Sequence, residues 1–171
     1  RRLNQVFLEA AAGLAPLAPR LRVVLLTGPA NFAEAQQAAA GLGLEVEVLA
    51  FETDMARRYA EADLVLTRAG ATGLAEMAVC ALPVVLVPYP YAKDNHQEAN
   101  ARAFERAGAA RVLLEAGLTG AKLGGVLREL LEDGGERARM AGCMRAMGRP
   151  EAGERIAARL LELAGGGRAA T

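Results

Sequence analysis

Five short runs dominated by Val and Leu constrain this chain most: RVVLLT at 22–27, LEVEVLA at 44–50, DLVLT at 63–67, PVVLVP at 83–88 and ARVLL at 110–114. Near-continuous apolar runs of this length suit strands buried on both faces. Helical patterns surround them at 3–14, 31–42, 54–61, 72–81 and 95–107, and three more start near Thr119, Glu136 and Glu151. Strand and helix in alternation imply right-handed crossovers and an α/β fold, a Rossmann-like parallel sheet flanked by helices. Such sheets bind ligands beyond the carboxyl ends of their strands. The loops after Thr27, Ala50, Thr67 and Pro88 are therefore where chemistry is expected.

Composition narrows the ligand classes. Twenty basic and 20 acidic side chains balance to a formal charge of zero, whereas nucleic-acid binders concentrate Lys and Arg into a basic surface. No nucleic acid is expected as a partner. The apolar runs fall far short of the roughly 18 residues that span a bilayer as a helix. Cys80 and Cys143 lack metal-ligand spacing and read as free thiols in a reducing, cytoplasmic setting. With one histidine in the chain, neither a Ser-His-Asp set beyond it nor a metal cluster can be assembled, so no metal and no cofactor is expected.

Three loops carry the candidate residues. Thr67 to Glu76 leaves a strand and enters a helix through Arg68, Ala69, Gly70, Ala71, Thr72, Gly73, Leu74 and Ala75. Small residues let a ligand approach the backbone, and N–H groups of a first helical turn attract phosphate oxygens. Glu76, one turn in, is placed either to accept hydrogen bonds from ribose hydroxyls or to close a capping box with Thr72 or Gly73 as N-cap. A second loop, Tyr89 to Asn100, is crowded with amides and hydroxyls of the kind that bind sugars. Gln97 and Asn100 share a helix face there. His96 is the only side chain whose ordinary pKa lies near neutrality, and hence the one candidate base. The plainer reading is an N-cap at Asp94 or Asn95 with solvated neighbours. In the third loop Phe51 either flanks a nucleobase, with the backbone of Glu52 reading its edge, or belongs to the core.

In order, these loops resemble the MurG family of peptidoglycan glycosyltransferases. The resemblance is carried by Phe51 with Thr53-Asp54-Met55, Ala62-Asp63, Arg68-Ala69-Gly70-Ala71-Thr72 running to Glu76, Leu82-Pro83, Val87-Pro88-Tyr89, and Asp94-Asn95-His96-Gln97 with Asn100-Ala101. It implies the C-terminal lobe of a GT-B enzyme, in which residues 1–164 hold UDP-N-acetylglucosamine; residues 165–171, Gly-rich and without an apolar period, read as a frayed tail. By resemblance, Ala71 through Glu76 form the phosphate and ribose site with Gly70 among the substrate-binding residues, Arg68 supports the diphosphate, Gln97 with Asn100 or His96 binds the sugar, and the backbone of Glu52 beside Phe51 reads the uracil. Ala69 stands where Ser is common in the family, and Thr72-Gly73 departs from the usual wording.

The family's reaction is inverting transfer of N-acetylglucosamine from its UDP donor to lipid I, giving lipid II, at the inner face of the cell membrane. The resemblance also implies a strand and a Gly-Gly-Ser-x-Gly-Ala loop before Arg1. It further implies an N-terminal domain that supplies the acceptor site, the catalytic base and most of a peripheral membrane contact. Without that strand the sheet has a central gap. Rival readings are another GT-B UDP-sugar glycosyltransferase, a UDP-sugar epimerase, or a non-catalytic nucleotide-sugar-binding subunit that works with a partner chain.

Overall fold

A computed structural model describes residues 1–166. It contains the strands β1 (Arg22–Leu26), β2 (Glu45–Leu49), β3 (Val65–Thr67), β4 (Val84–Leu86) and β5 (Ala110–Val112). The helices are α1 (Arg2–Ala11), α2 (Phe32–Ala39), α3 (Met55–Glu61), α4 (Ala71–Val79), α5 (His96–Arg106), α6 (Gly120–Glu132), α7 (Gly134–Met147) and α8 (Ala152–Gly166). Each strand expected from its Val-Leu run is present, trimmed at its ends. The tail expected at 165–171 begins within α8, and its residues 167–171 lie outside the described residues.

The first helix stops earlier than its apolar period suggests. A 3-10 segment, Ala12–Arg20, follows α1 and contains Pro16 and Pro19. Proline lacks the N–H that an α-helix needs and clashes with the preceding turn. Leu14 and Leu17 still reach the core from the tighter coil.

Among the described residues all pairing is parallel, but the strands form two hydrogen-bonded sets, β1-β2 and β3-β4-β5, with no ladder joining them. Their shared packing holds them together. One apolar cluster takes Leu25 from β1, Val85 and Val87 from β4 and its exit, Val6, Phe7 and Ala10 from α1, and Leu123, Leu127 and Leu130 from α6. A second cluster takes Val84 and Leu86 from β4, Leu74, Met77 and Ala78 from α4, and Ala101 from α5. Alternate β4 residues thus serve opposite faces, as the two-residue period of a strand demands. This explains why PVVLVP lacks polar alternation: the strand is covered on both sides. On α7, Met140 joins the first cluster and Met144 the second.

The α1–α6 contact is unusually close. A Cβ added to Gly120 would lie 2.5 Å from the Glu9 Cβ and 2.9 Å from its carbonyl carbon, and one added to Gly124 would lie 3.2 Å from the Ala10 oxygen. Two glycines one turn apart let the α1 backbone settle directly on α6.

Candidate functional site

The parallel arrangement puts the exits of β3 and β4 side by side, with the Val87 N–H donating to the Thr67 carbonyl at 2.9 Å. Two of the candidate loops therefore start from one sheet edge.

The β3–α4 loop begins with Arg68 and the fully buried Ala69. Gly70 is the N-cap of α4, in extended backbone with φ −70° and ψ 137°, and no side chain caps the helix. The N–H of Leu74 donates to the Gly70 carbonyl at 3.0 Å, leaving the preceding N–H groups of the first turn without intrahelical acceptors. Neither the backbone conformation nor packing demands glycine at position 70: its φ is negative and a Cβ there would meet nothing within 4 Å. The space over this helix start is open, and Ala71 and Thr72 are exposed.

Glu76 is not part of a capping box. The cap is Gly70, not Thr72 or Gly73, so Glu76 lies too far along α4 to reach back. Its Oε2 instead accepts from the Tyr59 hydroxyl of α3 at 3.2 Å. Burial raises the Tyr59 pKa, reinforced by the neighbouring Glu76 charge.

The β4–α5 loop is tied down from two directions. Gln97 Oε1 accepts from the Tyr89 N–H at 3.0 Å, and Asn100 Nδ2 donates to the Ala69 carbonyl at 3.1 Å. The shared face of Gln97 and Asn100 therefore points at the exits of β4 and β3. Asn95 is the N-cap of α5, but its side chain makes no cap bond and donates to Glu98 Oε2 at 3.0 Å. Asp94 and Asn95 both have φ of 51°, a left-handed conformation that Asn and Asp tolerate better than most residues. His96 Nδ1 donates to the Lys93 carbonyl at 2.6 Å, since a carbonyl can only accept. Its Nε2 is then the ring nitrogen left to accept a proton.

Arg68 faces the same loop. Its guanidinium donates to the carbonyls of Val87 at 3.1 Å and Pro88 at 3.2 Å, pairs with Glu115 beyond β5, and lies over the Tyr89 ring at 5.5 Å from its centroid. These contacts fix the β4 exit; none of them points the side chain at the α4 start.

In the β2–α3 loop Phe51 is displayed and not packed, with 75% of its surface exposed. The side chain of Glu52 is turned into the loop. Its Oε1 accepts from the N–H groups of Thr53 at 2.8 Å and Asp54 at 3.0 Å, and its Oε2 from Arg58 Nε at 2.6 Å. The backbone donor at Asp54, followed by the Arg58 guanidinium, lowers the Glu52 carboxyl to about 2. Arg58 also grips Glu47 through both terminal nitrogens, at 3.0 and 2.8 Å. Asp54 Oδ1 caps α3 by accepting from the Arg57 N–H at 3.1 Å.

Sequence reading missed Arg58, Tyr59 and Glu115. No local signal marks them, because their partners lie 6 to 47 residues away along the chain. Among the described residues no group of three or more His, Cys, Asp or Glu side chains is placed to hold a metal ion. Cys80 and Cys143 are free, and no described helix is long and apolar enough to cross a membrane.

A covered parallel sheet, with an open helix start and an amide-bearing second helix at its carboxyl edge, defines a Rossmann-like lobe of the GT-B glycosyltransferase class. Residues 1–156 match the model of the glycosyltransferase family 28 C-terminal domain, and the chain belongs to that family. Similar curated proteins include the UDP-N-acetylglucosamine–N-acetylmuramyl-(pentapeptide) pyrophosphoryl-undecaprenol N-acetylglucosamine transferase of Myxococcus xanthus, 40% identical over 92% of this chain and 41% of its own length. The protein of the same name from Anaeromyxobacter sp. (strain Fw109-5) is 42% identical over 91% of this chain and 41% of its own. Among solved structures, Acinetobacter baumannii MurG aligns with a TM-score of 0.81 and 30% identity over 94% of this chain and 46% of that one. The calicheamicin glycosyltransferase CalG4 aligns with a TM-score of 0.60 and 25% identity over 98% of this chain and 40% of that one. The chain thus spans about two fifths of the length of the curated relatives it matches.

Proposed function

We propose that this chain is the donor-binding half of an inverting glycosyltransferase that moves N-acetylglucosamine from UDP-N-acetylglucosamine to lipid I, forming lipid II at the inner face of the cell membrane. The observation that carries the reading is the uncapped start of α4. Its free N–H groups border open space at Gly70, where neither strain nor packing asks for glycine. A diphosphate supplies what that turn lacks.

Around it, Glu76 is the acceptor for the ribose hydroxyls, Phe51 and the Glu52 backbone take the uracil, and Gln97 with Asn100 faces the sugar. Oε1 of Gln97 is held by the Tyr89 N–H, so its amide NH2 remains to donate. Arg68 serves the diphosphate indirectly, by fixing the loop that carries Gln97.

As the anomeric carbon loses UDP, negative charge builds on the diphosphate. Donors already aimed at those oxygens stabilise this transition state more than the ground state, with little reorganisation. A base must take the proton of the acceptor hydroxyl as it attacks from the opposite face. We assign that base and the lipid contact outside this chain; His96 is the one alternative within it.

Calorimetric titration with UDP-N-acetylglucosamine, UDP-glucose and UDP tests the reading. Preference for the first supports it. Equal binding of both sugars points to another GT-B transferase, and no binding of any of the three overturns the nucleotide-sugar site.

A further inference from the structure

We propose that Tyr59 is a positioning residue for the ribose site: its hydroxyl holds the Glu76 carboxylate through Oε2 and leaves Oε1 directed to the ribose diol. The inference rests on the reading of Glu76 as the ribose acceptor.

Glu76 is exposed on α4, and a free glutamate there samples many rotamers. The Tyr59 hydroxyl at 3.2 Å is the partner that selects one of them. Tyr59 is itself well placed to do this, because its ring packs against the apolar cluster containing Leu74 and Met77 of α4. Its neighbour Arg58 is pinned to Glu47 and Glu52, which fixes α3 against the β2 exit. The donor thus sits on a rigid support.

A carboxylate has about four lone-pair sites. Oε2 can keep the phenol while Oε1 accepts from the diol, so binding need not break the contact. Ordering the carboxylate before the nucleotide arrives removes part of the entropic cost of binding. The raised Tyr59 pKa keeps the phenol protonated, and hence a donor, throughout the neutral range.

The experiment compares UDP with its 2′,3′-dideoxyribose analogue by calorimetry on the full chain and its Tyr59→Phe, Glu76→Gln and double variants. Tyr59→Phe is expected to weaken UDP binding by about 3- to 10-fold, the scale of one hydrogen bond, and to change dideoxy-analogue binding by less than about 2-fold. In the Glu76→Gln background the same change is expected to add no further loss. Unchanged UDP affinity in Tyr59→Phe, or equal losses for both nucleotides, overturns the positioning role while Glu76→Gln still discriminates. A Glu76→Gln protein that binds UDP as well as the parent overturns the ribose assignment itself, and the Tyr59 role with it.

Discussion

Arg58 donates through Nε to Oε2 of Glu52 at 2.6 Å, from a guanidinium that also grips Glu47. The pair locks the loop that displays Phe51. Glu52 is held at about 2, below its usual range, by the Asp54 N–H first and Arg58 second. A carboxyl depressed by folding contributes stability that is complete above the ordinary glutamate range and is lost as pH falls through about 2. Arg58→Gln is expected to move the Glu52 titration upward toward the ordinary value. Carbon-13 NMR titration of the side-chain carboxyl checks this, and an unmoved midpoint would show that the backbone donors suffice alone.

Glu76→Ala is expected to cost UDP affinity on the order of 1.5–3 kcal/mol, the range for hydrogen bonds to a charged group. Fluorescence or calorimetric titration of a folded variant measures it. Since Gly70 is the N-cap, the substitution is not expected to remove a cap. Any large loss of helix stability would therefore count against this assignment.

Gln97→Ala separates sugar from nucleotide. UDP-N-acetylglucosamine is expected to bind roughly 10-fold more weakly, near the upper end for a neutral hydrogen bond, with UDP little affected. Equal weakening of both would mean that the Tyr89 N–H contact, not the sugar, is what Gln97 serves.

Arg68 ties the β4 exit to Glu115. Its removal leaves that carboxylate and two carbonyls without their donor, so Arg68→Ala is expected to lower unfolding stability by about 1–3 kcal/mol. Urea denaturation gives the stability change, and UDP titration of the same variant gives the binding change. A binding loss larger than the stability loss would assign Arg68 directly to the diphosphate.

Two glycines on α6 are expected to respond with opposite sign. At Gly120 a methyl group would stand 2.5 Å from Glu9 Cβ and 2.9 Å from its backbone. Overpacking costs of about 1–3 kcal/mol exceed the helix-propensity gain of at most about 1 kcal/mol, so Gly120→Ala destabilises. At exposed Gly125 a Cβ meets nothing within 4 Å, and Gly125→Ala is expected to stabilise by up to about 1 kcal/mol. Thermal denaturation of both variants decides the matter.

Local sequence pattern was enough to read the strands, the helix order and the loops at the carboxyl edge. These depend on local period: a Val-Leu run buried on two faces reads the same wherever it sits, as Val84 to Leu86 show. It also carried the family resemblance, because Gly70 to Glu76 and Asn95 to Asn100 are contiguous. Local pattern left open whether Glu76 caps a helix or meets a ligand, and whether Phe51 is core or surface. The tertiary structure excluded the capping box by placing Gly70 at the cap, and it put Phe51 in solvent and not in the core. It alone separated the strands into two sets, seated Glu9 on Gly120, and joined Tyr59 to Glu76 and Arg68 to Glu115 across 17 and 47 residues. Such pairs are set by how packed elements meet, and no short window of sequence contains both partners.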